Sequence, residues 1–172
     1  METPISAEIC KTDMDRVNRI WQHTLFQEEY AGILKAEETR VYCGHGLNHL
    51  LDTARLMWIY VLEKHADFNR DIIYAAALLH DIGRAEQYRK GTPHQEAGRR
   101  IAQKILPECG YTESETDVIL SAIASHREQK IGENRLGEIL YMADKASRNC
   151  FACQAAEDCN WPDQKRNYYI KA

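Results

Sequence analysis

Arg70-Asp71-Ile72-Ile73-Tyr74-Ala75-Ala76-Ala77-Leu78-Leu79-His80-Asp81-Ile82-Gly83-Arg84 is the stretch on which the fold turns. After its first turn it is nearly all apolar, which predicts a central buried helix through Leu79. At its end come an imidazole and a carboxylate, without a spacer, then a glycine and a guanidinium. Burying two ionisable groups is costly unless something pairs with them. A cation that both can ligate is the simplest partner, so the question for the rest of the chain is whether it supplies more ligands.

Upstream, Val41-Tyr42-Cys43-Gly44-His45-Gly46 brackets a histidine with glycines and reads as a turn opening a helix from about Leu47 to Lys64. Before it, Ile9, Met14, Val17, Ile20, Trp21 and Leu25 recur near the helical period, so Ser6 to Thr39 reads as helix broken in two. Glu28, Glu29, Glu37 and Glu38 are expected on its solvated face, and His23 and His65 are also expected in solvent. Downstream, Tyr88 to Pro93 reads as a polar loop. Thr92 is the expected cap and Pro93 the first residue of a helix reaching about Leu106. Thr112 or Ser114 is the expected N-cap of a helix from Glu115 to His126, and Leu136 to Arg148 reads as the last long helix. No segment shows strand alternation flanked by hairpin turns, so the expected architecture is all-α.

At 172 residues the chain is expected to form one domain, 1–172. Within it, 40–148 is the core bundle, 1–39 an N-terminal helical extension and 149–172 a cysteine-containing tail. A net charge of −4 provides no extended nucleic-acid surface. No apolar run is long enough to cross a bilayer, and Met1-Glu2-Thr3-Pro4 lacks the basic and apolar regions of a signal peptide. The expected compartment is therefore the cytoplasm.

The candidate ligands are His49, His80, Asp81, His94, His126 and Asp144, drawn from five helices and each near a helix end or on an inner face. Helical domains assemble metal centres from side chains that converge in this way. These residues resemble the HD superfamily of metal-dependent phosphohydrolases. His49-Leu50-Leu51-Asp52-Thr53-Ala54 is similar to the family's first helix, and Leu78-Leu79-His80-Asp81-Ile82-Gly83 to its His-Asp doublet. Pro93 to Gly98, Ala122 to His126 and Leu140 to Lys145 resemble the remaining elements, most nearly those of the branch that hydrolyses bis-nucleoside polyphosphates. The Gly-Tyr-Pro signature of the cyclic-dinucleotide branch is absent, since Gly110-Tyr111 continues with Thr112.

The resemblance implies that His49, His80, Asp81 and Asp144 hold one ion and His94 and His126 a second, with Asp81 as bridge and catalytic residue. One or two divalent ions are expected, and mixed imidazole and carboxylate ligation suits iron, manganese, nickel or zinc without selecting one. The implied chemistry is attack by a metal-activated water on a phosphate ester or anhydride of a nucleotide or similar small metabolite. Arg84, Lys145, Arg127 and Arg148 stand one to four residues from these ligands and are the expected phosphate contacts. His45 lies four residues before His49, with no glutamate between them to serve as a metalloprotease base, and is expected behind the ligands or facing the substrate. Cys150, Cys153 and Cys159 lie outside the resemblance; they read as free thiols or as a structural metal site completed by Cys43, Cys10 or a histidine. The alternative function is a metal- and nucleotide-binding sensor, distinguished by tight binding without turnover. Either reading is compatible with a homo-oligomer.

Overall fold

A computed structural model describes residues 14–127, 132 and 134–170, and those residues contain helices and no strand. The helices are α1 (Asp15–Gln22), α2 (Thr24–Ala36), α3 (Leu47–Glu63), α4 (Arg70–Leu79), α5 (Arg84–Lys90), α6 (His94–Glu108), α7 (Glu113–Ser125) and α8 (Arg135–Ala146), followed by short 3₁₀ turns. Their order is the all-α arrangement expected from the sequence. The expected start at Ser6, with Ile9 and Cys10, lies outside the described residues.

Seven of the ten residues of α4 are buried, from Ile72 to Leu79 with only Tyr74 partly exposed. Around it pack α1, α3, α7 and α8. Ala75, Ala76 and Ala77 in succession are small enough to let helices approach on more than one side. Leu79, fully buried, contributes about 1.5–3 kcal/mol by leaving water. On α3 the inner face is His49, Thr53, Ala54, Met57 and Val61, so the helical repeat that buries the core also aims His49 inward.

Local chemistry fixes the helix ends. Thr112 and Glu115 form a capping box at the start of α7, and Asn134 accepts from the Gly137 amide at the start of α8. The α3 start is held across the fold: the Leu47 amide donates to the Tyr30 hydroxyl at 2.9 Å. Arg16 ties three helices together, donating to Asp71 of α4 and bidentately to Glu115 of α7 at 2.7 and 3.0 Å, above the Tyr111 ring.

Several local expectations are corrected. The loop expected at Tyr88 to Pro93 is shorter: Tyr88, Arg89 and Lys90 are the last turn of α5, which ends on Gly91 at φ 77°, a left-handed conformation suited to glycine. Helix α5 is charged along its length, with Ala85 and Glu86 its buried residues, and so carries no apolar repeat to announce it. Thr92 does not cap α6. Pro93 occupies the N-cap position, with no side-chain cap. Helix α6 runs through Pro107 to Glu108, because a proline in the last turn forfeits a single backbone bond. His23 is not free in solvent: it breaks α1 from α2, accepts from the Leu25 amide at 3.2 Å and meets Glu108 at 3.1 Å.

None of the described helices is long and apolar enough to cross a membrane.

Candidate metal centre

The six residues singled out in the sequence come together at one end of the core. His49 enters from the first turn of α3, His80 and Asp81 from the end of α4, His94 from the start of α6, His126 from the end of α7 and Asp144 from α8. Ligand atoms of His49, His80, Asp81 and Asp144 all lie within 4.8 Å of one another, and so do those of Asp81, His94 and His126. Asp81 belongs to both groups. Its Oδ2 lies 3.1 Å from His80 Nε2 and 3.5 Å from His49 Nε2, while its Oδ1 lies 3.4 Å from His94 Nε2. His49 Nε2 and Asp144 Oδ1 are 3.3 Å apart.

The backbone sets which nitrogen each ring presents. His80 Nδ1 faces the Ala77 carbonyl at 2.7 Å and His126 Nδ1 the Ile123 carbonyl at 2.6 Å. A carbonyl only accepts, so both Nδ1 atoms carry the proton. Each of these residues follows its helix's last turn and reaches back to the carbonyl three residues earlier. His94 Nδ1 lies 3.0 Å from the Gln87 side-chain oxygen. Ser147 gives its hydroxyl proton to the Asp144 carbonyl, which leaves Ser147 Oγ to accept from His49 Nδ1 at 3.0 Å. All four rings therefore turn Nε2 inward, the arrangement that fixes metal-binding imidazoles.

The fit of a cation rests on the atoms left over. His80 Nε2 and Asp81 Oδ2 are buried and neither makes a hydrogen bond, although they are 3.1 Å apart. His94 Nε2 and His126 Nε2 face each other at 3.1 Å. Burial first, with Arg84 beside one ring and His80 beside the other, pushes His94 down to about 3 and His126 down to about 4, so both are neutral near pH 7. Burial opposes the charges on Asp81 and Asp144, but neighbouring histidines and cations hold both carboxyls well below their usual range. Two neutral imidazoles, His94 and His126, and two ionised carboxylates converge here around the unpartnered His80 Nε2 and Asp81 Oδ2, a donor set that fits one or two divalent ions.

Around this centre lie the charged groups. Arg84 Nε donates to Asp81 Oδ1 at 2.9 Å. Lys145 Nζ pairs with Asp144 Oδ2 and stands over the rings of Tyr141 and Trp161, 5.0 and 5.7 Å from their centroids. Arg84, Arg127 and Lys145 wall a cavity of about 250 Å³ together with Gln87, His94, His126, Asp144, Trp161 and Lys165. Arg84, Asp144, Lys145 and Trp161 also border a second cavity of about 400 Å³, which extends to Arg40, Tyr42, His45 and Arg148. Arg148 is buried, with one terminal nitrogen 2.6 Å from the Gly44 carbonyl and the other 3.0 Å from His49 Nε2, while its Nε has no partner.

Glu37 corrects the sequence reading most sharply. Expected in solvent, it is 7% exposed and takes the His45 amide at 2.8 Å, His45 Nδ1, and the Tyr88 hydroxyl at 2.6 Å. Burial would raise its pKa, but the bonds from His45 and Tyr88 outweigh that and hold it at about 2. His45, buried and fixed by Glu37, turns Nε2 to within 3.8 Å of Asp81 Oδ2. Trp161 and Lys165 were also missed as site residues. Their signal is the tail sequence itself, which has no local periodicity and reaches the site only by folding back.

The HD domain family model matches residues 46–149, from the N-cap of α3 to beyond the end of α8. An uncharacterized protein of Clostridium beijerinckii is 41% identical over 157 residues, which covers 91% of this chain and 99% of that one. The chain belongs to the HD domain family. Ribonuclease Y of Mycoplasma mycoides is 33% identical over 101 residues, 59% of this chain and 18% of that enzyme's length. Among solved structures, a predicted HD superfamily hydrolase from an uncultured Thermotogales bacterium has a TM-score of 0.60 at 21% identity, covering 87% of this chain and 86% of that one, and so shares the fold.

Proposed function

We propose that this chain is a cytoplasmic, metal-dependent phosphohydrolase acting on a nucleotide or similar small phosphorylated metabolite. The observation that carries the reading is the meeting of two ligand groups, sharing Asp81, with a cavity walled by Arg84, Arg127, Lys145 and Lys165. A divalent ion bound by His49, His80, Asp81 and Asp144, with a second at Asp81, His94 and His126, supplies an activated water and positive charge for phosphoryl oxygens. The protein supplies position. Arg84 holds Asp81 through Nε and offers the rest of its guanidinium to a phosphate, in the geometry arginine favours. Lys145 adds a point charge beside Asp144, and Arg127 and Lys165 extend the cationic wall outward. Arg148 meets the ligand atoms His49 Nε2 and Asp144 Oδ1 directly, at 3.0 and 3.6 Å.

Trp161 borders both cavities, so a substrate whose phosphate sits at Arg84 and Lys145 has an aromatic face beside it. That favours a nucleoside over a plain sugar phosphate, because a base stacks on an indole ring. Substrates with bases on either side of a phosphate chain, as in the bis-nucleoside polyphosphates, would place one base in each of the two cavities that meet at Arg84, Asp144, Lys145 and Trp161. Ribonuclease Y, similar over 101 residues, is by name an enzyme of phosphodiester bonds, which supports phosphorus chemistry here.

Purified protein supplied with manganese or ferrous iron should release phosphate or nucleoside monophosphate from a member of a panel of phosphate esters, nucleotides and dinucleoside polyphosphates. Asp81→Ala should abolish the release. Activity retained in that variant refutes the assignment, and tight nucleotide binding with no turnover in metal-replete protein favours the sensor reading.

A further inference from the structure

Arg148, expected as a phosphate contact, turns its charge on the ligands instead. Its backbone is fixed just beyond α8, with its amide on the Lys145 carbonyl at 3.3 Å and its carbonyl taking the Asn167 side-chain amide at 2.8 Å. One terminal nitrogen donates to the Gly44 carbonyl at 2.6 Å. The other donates to His49 Nε2 at 3.0 Å and lies 3.6 Å from Asp144 Oδ1. Those two atoms, 3.3 Å apart, are the ones by which His49 and Asp144 face each other within the first ligand group.

Nitrogen and oxygen ligands respond differently to a donor. A carboxylate oxygen has two lone pairs and can keep a hydrogen bond while it ligates, so Arg84 on Asp81 Oδ1 and Lys145 on Asp144 Oδ2 are compatible with metal. An imidazole nitrogen has one lone pair. His49 Nδ1 gives its proton to Ser147 Oγ, so the single lone pair of Nε2 can serve Arg148 or an ion but not both. Among the described residues, Arg148 is the cation that donates to an imidazole nitrogen of the centre.

The remaining donors of Arg148 point the same way. A guanidinium carries five N–H donors, and here Nε is buried without a partner. The inward position therefore rests on what the terminal nitrogens meet. The side chain also borders the 400 Å³ cavity, beside Arg40, Arg84 and Lys145. A nitrogen freed from His49 suits an anionic oxygen there. We propose that Arg148 competes with the first ion for His49 Nε2 and Asp144 Oδ1, and that metal binding releases one of its guanidinium nitrogens to this cavity as an anion donor. The competition rests on the metal centre in the reading above and not on turnover.

Manganese alone is the first probe, titrated calorimetrically into the chelator-treated full chain. Arg148→Gln should bind one manganese ion about 10-fold more tightly than wild type, because the ion no longer displaces a charge-assisted hydrogen bond. Arg40→Gln removes a cation from the same cavity without touching a ligand atom, and should change the affinity far less. Melting temperature separates competition from a structural role. Arg148→Gln should melt lower than wild type in chelator and recover most of that loss in saturating manganese, whereas loss of the Gly44 contact alone would lower both equally. Inorganic phosphate is the second probe. With manganese saturating, it should bind Arg148→Gln several-fold more weakly than wild type, so that one substitution moves cation and anion affinity in opposite directions. Manganese affinity in Arg148→Gln no tighter than wild type overturns the competition, as does an equal gain in Arg40→Gln. Equal phosphate affinity overturns the release. Wild-type protein that binds no manganese overturns the competition together with the metal centre, while turnover has no part in any of these readouts.

Discussion

Gly83→Ala should disrupt the centre from a residue that ligates nothing. Gly83 follows the doublet directly and has an ordinary φ of −77°, so alanine is not excluded by backbone conformation. The obstacle is space. A Cβ at Gly83 would collide with the His94 carbonyl oxygen and the Gly98 amide nitrogen, and would stand 2.9 Å from the Ala97 Cβ. The first two are backbone atoms of α6, so relief requires the helix to move, and His94 is its first residue. Overpacking of a fixed core costs about 1–3 kcal/mol, and contacts with backbone place this substitution at the upper end. In a chain of this size about 3 kcal/mol lowers the melting temperature by about 6–12 °C. The displacement also separates His94 from Asp81 and His126, so metal at the second group should fall first. Thermal unfolding followed by circular dichroism, with metal content after gel filtration, measures both effects. The control is Gly91→Ala, where no atom lies within 4 Å of the new Cβ and the cost is that of a left-handed φ of 77°, about 1 kcal/mol, with metal content unchanged. A Gly83→Ala protein with wild-type melting temperature and metal content would refute the close-approach argument.

Other perturbations separate structure from site. Glu37→Gln should loosen His45, whose Nε2 faces Asp81 at 3.8 Å, and weaken manganese binding by less than the about 10-fold that losing a direct partner of a ligand costs, with little change in melting temperature; isothermal titration with manganese would show it. Thr112→Ala removes the capping box of α7 and should cost about 1 kcal/mol in urea unfolding without altering activity. The Arg16 hydrogen bond holds Glu115 at about 2, below its unfolded value, so its contribution is complete above about pH 4.5 and is lost as pH falls towards 2. Wild type should therefore lose stability more steeply than Arg16→Ala across that interval, and parallel acid limbs would contradict the linkage.

What the sequence made legible follows from where the information lies. His80 and Asp81 could be read because an apolar run ends on them, and His49, His94, His126 and Asp144 because each sits at a recognisable place on a helix. Their ring orientations also follow local rules, since His80 and His126 bond to carbonyls three residues back. Glu37 was unreadable because its partners are eight and fifty-one residues away, and an exposed-looking glutamate run gives no sign of them. Helix α5 was hidden because charge pairs such as Glu86 with Arg100 and Arg89 with Glu29, more than apolar periodicity, fasten it. The arrival of Trp161 and Lys165 at the site depends on the return of the tail to the end of α8, where Asn167 bonds the Lys145 carbonyl, which no local pattern encodes.

The most direct test of the central claim is metal content and phosphate release measured together, on wild type and Asp81→Ala. Because Asp81 belongs to both ligand groups, its loss should empty both sites and abolish turnover while the helical spectrum is kept. A folded Asp81→Ala protein that retains its metal, or hydrolyses substrate at the wild-type rate, would contradict the account.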